Sequence, residues 1–186
     1  MKIYDCIFLD RDGTINFDPG YIKSIDEFKL YSYTIDALRK LSTITQSFCI
    51  VSNQSGVSRG IIHIDELNKI HDYIKLTFKK HNLNLLDILI ATDHPNKVTS
   101  TKRKPGIGMF IEAKRAYKIK LKNSLIIGDS HTDIEPGRVN GMESMLVLSG
   151  IGNLSLKKYK NNLWPNYIVN NLLEGADLLC KEKLEY

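Results

Sequence analysis

The sequence predicts an α/β fold with a central, mainly parallel sheet flanked by helices. Two observations carry that expectation. Short apolar runs of strand type alternate with segments of helical periodicity, the pattern of successive βαβ units. Several of those runs end in small or acidic residues, as strands do where an open parallel sheet meets its ligand.

In chain order, strands are predicted at Ile3–Leu9, Ser47–Ser52, Leu86–Ala91, Ser124–Gly128, Ser144–Val147 and, more weakly patterned, Tyr167–Val169. Helices fit between them at Thr34–Ser42, Ile64–Lys80, Ile107–Tyr117, Thr132–Asn140 and Leu172–Lys183. Ile64, Leu67, Ile70, Ile74 and Phe78 recur at helical spacing and are read as a core stripe. There is no internal repeat and no linker, so residues 1–186 are expected to form one domain.

Composition narrows the class. The chain is 42% hydrophobic and 25% charged, ordinary for a globular protein. No apolar run approaches the roughly 20 residues needed to span a bilayer, and the N-terminus lacks the apolar core and cleavage site of a signal peptide. Cys6, Cys49 and Cys180 lie far apart. They read as free thiols in a reducing, cytoplasmic compartment, and a monomer is the default expectation. The net charge of +5 suits a phosphate-bearing small molecule, and no nucleic-acid or membrane motif accompanies it. Lys114, Arg115, Lys118, Lys120 and Lys122 are read as a solvated basic face.

Four segments carry candidate chemistry. First, Ile-Phe-Leu-Asp10-Arg11-Asp12-Gly13-Thr14 is a strand ending in two carboxylates at i and i+2. On a strand these point the same way, and Gly13 allows a sharp turn after them. An acidic turn is the plainer alternative. Second, Ser52-Asn53-Gln54-Ser55-Gly56 follows a strand and offers donors to phosphate oxygens, or simply forms a turn or helix cap. Third, Pro105 holds Lys104 at the sheet rim by favouring an extended residue before it, and can start a helix after it. A solvated basic loop is the alternative there. Fourth, Gly128-Asp129 ends a buried strand, with Asp133 four residues on. Asp129 is a hard oxygen ligand suited to Mg²⁺. Asp133 suits both a supporting anion for the loop and the neighbouring lysine, and helix N-terminal electrostatics.

Taken in this order, the four segments resemble the haloacid dehalogenase (HAD) superfamily of phosphohydrolases, whose first motif is Asp-x-Asp-x-Thr. The match spans residues 3–148. The resemblance implies a Rossmann-like fold in which Asp10 is the nucleophile and Asp12 the general acid/base. It further implies that Ser52 and Lys104 stabilise the phosphoryl group. Asp10, the backbone carbonyl of Asp12, and Asp129 would hold Mg²⁺, with Asp133 in support.

Within that superfamily, Asp10–Asn16, Asp18-Pro19-Gly20-Tyr21-Ile22, Ser52–Gly56 and Arg103-Lys104-Pro105 resemble the heptose 1,7-bisphosphate 7-phosphatases. The histidinol-phosphate phosphatases are similar, and a non-catalytic sugar-phosphate binder on the same fold is the alternative of another class. The closer resemblance implies that Asp18, Pro19, Gly20, Tyr21, Ser52, Asn53, Gln54, Ser55, Arg103 and Lys104 contact a sugar bisphosphate. The short interval from Gly13 to the first helix leaves no room for a large cap domain, so a small flap over an open site is expected. Relatives commonly carry a zinc loop, but its ligand positions read Ala91, Asp93, Ser100 and Lys102 here, so zinc is not expected. Ser130 stands where many relatives have a lysine.

Overall fold

The computed structural model describes residues 3–96, 100–157 and 165–181. Six parallel strands, β1 (Ile7–Leu9), β2 (Phe48–Asn53), β3 (Leu85–Ala91), β4 (Leu125–Gly128), β5 (Glu143–Val147) and β6 (Tyr167–Val169), form one sheet in the order β3-β2-β1-β4-β5-β6. The strand order reverses direction between β1 and β4, which opens a crevice at their carboxyl ends. Helices α1 (Thr34–Leu41), α2 (Ile64–Lys80), α3 (Gly108–Tyr117), α4 (His131–Asn140), α5 (Gly152–Leu156) and α6 (Leu172–Lys181) complete the fold.

The core has two layers because successive strand residues face opposite ways. Ile7, Leu9, Ile50 and Ile127 pack with α1, α2 and α6 residues such as Leu38, Ile74 and Leu172 on one face. Cys6, Phe8, Cys49, Val51 and Ile126 pack with Met109, Phe110 and Ala113 of α3 on the other. Phe8 and Phe110 meet edge to face at 5.1 Å, a favoured aromatic geometry. All four β4 residues are buried, as expected of a central parallel strand.

Several sequence expectations shift. The first strand begins at Ile7, not Ile3, because Tyr4 leaves the ladder to bridge Thr45. Pro105 does not start α3: it sits in a turn closed by Gly106 N–H on the Arg103 carbonyl (2.7 Å), and the helix begins at Gly108. Ile64 is 42% exposed at the start of α2, while Leu67, Ile70, Ile74 and Phe78 are buried as the stripe requires. Cys6 and Cys49 are buried, Cys180 partly so, and all three are free thiols. The five basic residues from Lys114 to Lys122 are exposed. Helix α5 carries no predicted counterpart, and the expected last two residues of α6, 182 and 183, lie outside the described residues. No helix among the described residues is long and apolar enough to cross a membrane.

Candidate active site

Register places the first and fourth motifs side by side. Leu9 pairs with Ile50 on one flank and Ile127 on the other, so Asp10 emerges between β2 and β4. The Asp10 N–H donates to the Ile127 carbonyl at 2.9 Å, extending the ladder by one residue. Beyond that point the strand ends, and its alternation ends with it. Asp10 and Asp12 share the rim and take different hydrogen-bond partners, Lys104 for the first and Arg11, Asn16 and Gln54 for the second.

Asp10 belongs to a buried charge cluster. Lys104 Nζ donates to Asp10 Oδ1, Asp133 Oδ1 and the Val51 carbonyl, each at 2.6 Å. Those three contacts use all of its hydrogens. Asp10, Asp129 and Asp133 bring one carboxylate oxygen each within 4.8 Å of one another. With all three ionised, one ammonium would leave two negative charges uncompensated in a buried site, and these oxygens form a donor set that fits a hard divalent cation such as Mg²⁺. The same crowding shows in proton affinities. Burial raises Asp10 well above the carboxylate range, against the pull of Lys104 and reinforced by Asp133 and Asp12. Burial, then Asp10 and Asp133, raise Asp129 likewise. Burial lowers Lys104, but Asp10 and Asp133 more than restore it, so the ammonium stays charged.

Each carboxylate has a distinct arrangement. Asp133 Oδ2 accepts the Ser130 N–H at 3.0 Å while Oδ1 holds Lys104, so the helix-capping and supporting roles coexist. Ser130 is the N-cap of α4, its hydroxyl taking the Thr132 N–H, so this position serves the helix. A Cβ at Gly128 would collide with Asp133, which is why glycine precedes Asp129. Asp129 Oδ2 accepts the Ile151 N–H at 2.8 Å. Asp10 Oδ2 and Asp129 Oδ1 are left without a protein donor among the described residues.

Asp12 lies outside that cluster, so only its backbone carbonyl is in question as a metal ligand. Its carboxylate takes four N–H donors: Arg11 Nε (3.0 Å) and Nη2 (2.7 Å), Asn16 Nδ2 (2.9 Å) and Gln54 Nε2 (2.7 Å). Burial raises Asp12, but the Arg11 charge and the hydrogen bonds from Arg11, Asn16 and Gln54 outweigh it and hold the group below the usual range.

The second and third motifs are tied together. Asn53 grips Lys104 by its backbone, accepting the Lys104 N–H and donating to its carbonyl, both at 3.0 Å. Gln54 donates to Ser52 Oγ at 2.8 Å as well as to Asp12. The amides of Asn53 and Gln54, expected to face a substrate, are thus engaged inside the protein. Gly106 and Gly108 let the chain fold onto the Thr101 carbonyl, where a Cβ on either would clash.

Asp18, Pro19, Gly20 and Tyr21 form an exposed flap beside this rim. Asp18 Oδ1 accepts the Gly20 N–H at 2.8 Å, closing a turn in which Gly20 takes φ +106°. The Tyr21 ring lies against Gly56, and a cleft runs between the flap and Asn53–Gly56, with Arg11 and Asp12 at its base. Ser55 lines this cleft and is largely buried. Arg103 is partly buried near Arg59, Asp93 and Tyr21, and its Nη1 has no partner among the described residues.

Ala91, Asp93, Ser100 and Lys102, the positions considered for a zinc loop, make other contacts. Ala91 is core, Ser100 Oγ donates to Asp93 Oδ2 at 2.6 Å and accepts the Arg103 N–H at 3.2 Å, and Lys102 pairs with Glu112 at 2.8 Å. Sequence reasoning missed Arg11 and Asn16 as partners of Asp12, and the turn Ser149-Gly150-Ile151. Ser149 Oγ donates to the Gly13 carbonyl at 2.7 Å, and the adjacent Gly13 and Gly150 both lie close against Asp129 Oδ2. The one available signal for that turn was Ser-Gly one residue beyond a strand.

A HAD-hydrolase-like family model matches residues 101–175. D-glycero-D-manno-heptose-1,7-bisphosphate 7-phosphatase of Thermosynechococcus vestitus is 29% identical over 187 residues, covering 94% of each chain. D-glycero-beta-D-manno-heptose-1,7-bisphosphate 7-phosphatase of Haemophilus influenzae is 35% identical over 136 residues, covering 70% of this chain and 74% of that one. Among solved structures, D,D-heptose 1,7-bisphosphate phosphatase from B. bronchiseptica, complexed with magnesium and phosphate, superposes with a TM-score of 0.84 at 28% identity. It covers 96% of this chain and 99% of that one.

Proposed function

This chain belongs to the D-glycero-D-manno-heptose-1,7-bisphosphate 7-phosphatase family of HAD-like hydrolases, and we propose that it removes the C7 phosphate of a heptose 1,7-bisphosphate. The observation that carries the reading is the state of Asp10. One of its oxygens is pinned by Lys104 and the other has no donor among the described residues, at the switch point of the sheet and beside Asp129.

Asp10 Oδ2 is the attacking atom. Its bond to phosphorus forms as the bond from phosphorus to the sugar oxygen breaks, giving an aspartyl-phosphate and splitting one hard step into two. Asp12 is a carboxylate while Arg11, Asn16 and Gln54 fill both its oxygens. In this reading it takes up a proton from solvent as one of those donors is released, gives it to the leaving oxygen, then takes one from the water that hydrolyses the acyl phosphate. Lys104 supplies fixed positive charge next to the nucleophile, and Ser52 offers its hydroxyl hydrogen to a phosphoryl oxygen. Mg²⁺, held by Asp10, Asp129 and the Asp12 carbonyl with Asp133 in support, would neutralise phosphate charge so that an anionic nucleophile can approach. The flap Asp18–Tyr21, Ser55 and Arg103 meet the sugar and its second phosphate. Zinc forms no part of this reading.

We read residues 1–186 as one working unit, monomeric and cytoplasmic, feeding nucleotide-heptose synthesis. The free thiols suit a reducing compartment. The test is phosphate release from both anomers of heptose 1,7-bisphosphate, histidinol phosphate and a 3′-phosphorylated oligonucleotide. The heptose bisphosphates should be turned over with the highest kcat/KM. A preference for histidinol phosphate would overturn the assignment.

A further inference from the structure

We propose that Gln54 is a positioning residue whose single side-chain amide orients Ser52 and Asp12 together. The inference rests on the reading of Asp12 as the acid that protonates the leaving oxygen.

Gln54 Nε2 lies 2.7 Å from Asp12 Oδ2 and 2.8 Å from Ser52 Oγ. An amide nitrogen carries two hydrogens, so both are spent and neither is left for a substrate. The two recipients belong to different tasks. Ser52 accepts from Gln54, which turns its own hydroxyl hydrogen away from Gln54 and leaves it for the phosphoryl group. Asp12 is held by three other N–H groups, all from Arg11 and Asn16 in its own turn; Gln54 reaches it from 42 residues away. It is therefore the contact that sets the acid relative to the phosphate-binding end of β2.

The lever is stiff. The Gln54 N–H donates to the Ala91 carbonyl at 2.8 Å, its carbonyl accepts the Val57 N–H at 3.2 Å, and the residue is buried. A group fixed at backbone and side chain can transmit position, which matters because acid catalysis depends on reach to the leaving oxygen.

Leaving-group dependence separates this role from simple packing. A sugar alkoxide needs a proton to depart, whereas p-nitrophenolate does not. The test compares kcat/KM for heptose 1,7-bisphosphate and p-nitrophenyl phosphate in wild type, Gln54→Met, Gln54→Asn and Asp12→Asn. Gln54→Met keeps the shape and removes the donors; Gln54→Asn keeps a buried amide but withdraws it by one methylene, and stands in if the Met variant does not fold. Losing a hydrogen bond to a charged group should cost the sugar substrate about ten- to a hundredfold, and the aryl ester a much smaller factor. Asp12→Asn should show the same bias more strongly. Equal losses on both substrates for the Gln54 variants, beside a biased Asp12→Asn, would overturn the role of Gln54 alone. An unbiased Asp12→Asn would overturn the acid reading and this inference with it.

Discussion

Lys104 and Asp133 form an ion pair sealed in the protein, with Nζ 2.6 Å from Oδ1 and both side chains about as buried as core residues. Because the other oxygen of Asp133 caps α4, one carboxylate joins the third motif to the fourth. Asp133→Asn should therefore lose stability and activity together. A buried hydrogen bond to a charged group is worth about 1.5–3 kcal/mol, and urea unfolding should show a loss of that order. An unchanged midpoint would mean that Lys104 is held by Asp10 and Val51 alone.

Gly13 and Gly150 should tolerate no side chain. Both have positive φ, +80° and +56°, and a Cβ on either would run into Asp129 Oδ2. The backbone strain alone is of order 1–3 kcal/mol, and displacement of Asp129 adds loss of the divalent site. Titration calorimetry should find Mg²⁺ binding weakened in Gly13→Ala and Gly150→Ala. Unaltered binding would show that this turn does not shape the site.

Metal dependence follows from the charge count at Asp10, Asp129, Asp133 and Lys104. A chelator should abolish turnover, Mg²⁺ should restore it, and elemental analysis should find no stoichiometric zinc. One tightly held zinc per chain would show that the Asp93–Ser100 segment binds metal after all.

Arg103→Ala should damage kcat/KM for the sugar bisphosphate more than for a plain aryl phosphate. Its guanidinium lies within electrostatic reach of Arg59, Asp93 and Tyr21 of the flap. Contacts to remote substrate groups can be spent on lowering the barrier. A charge-assisted contact is worth about ten- to a hundredfold. Equal losses on both substrates would place Arg103 at the reacting phosphate instead.

His71 makes a prediction about stability against pH. Burial first, then the Arg11 and Lys75 charges, lower its pKa to about 4, with Asp72 and Asp12 opposing. An unfolded chain protonates this residue from about pH 6.5 downward, while the folded protein keeps it neutral to about pH 4. Between those values the unfolded state binds more protons, so stability falls as pH drops. His71→Phe should flatten that part of the stability profile. An identical profile would show that other groups carry the acid sensitivity.

What could be read in advance divides along a physical line. Ile64–Lys80 and Tyr167–Val169 match their expected spans because their patterning is local. Asp10, Lys104, Asp129 and Asp133 meet because each follows or faces a strand end, and strand ends in this sheet share a rim. Arg11, Asn16 and Ser149 were not legible, since their roles arise from loops that meet only after folding. Asn53 and Gln54 were recognised as part of the site, but their amides turn inward to Lys104, Ser52 and Asp12, a choice set by tertiary geometry.

The central claim is that phosphoryl transfer passes through Asp10, and chemical trapping tests it most directly. Enzyme quenched during turnover of heptose 1,7-bisphosphate and reduced with borohydride should carry homoserine at position 10, read by peptide mass spectrometry. Folded Asp10→Asn should release no phosphate and yield no such product. Turnover without label at position 10, or normal phosphate release by Asp10→Asn, would contradict the account.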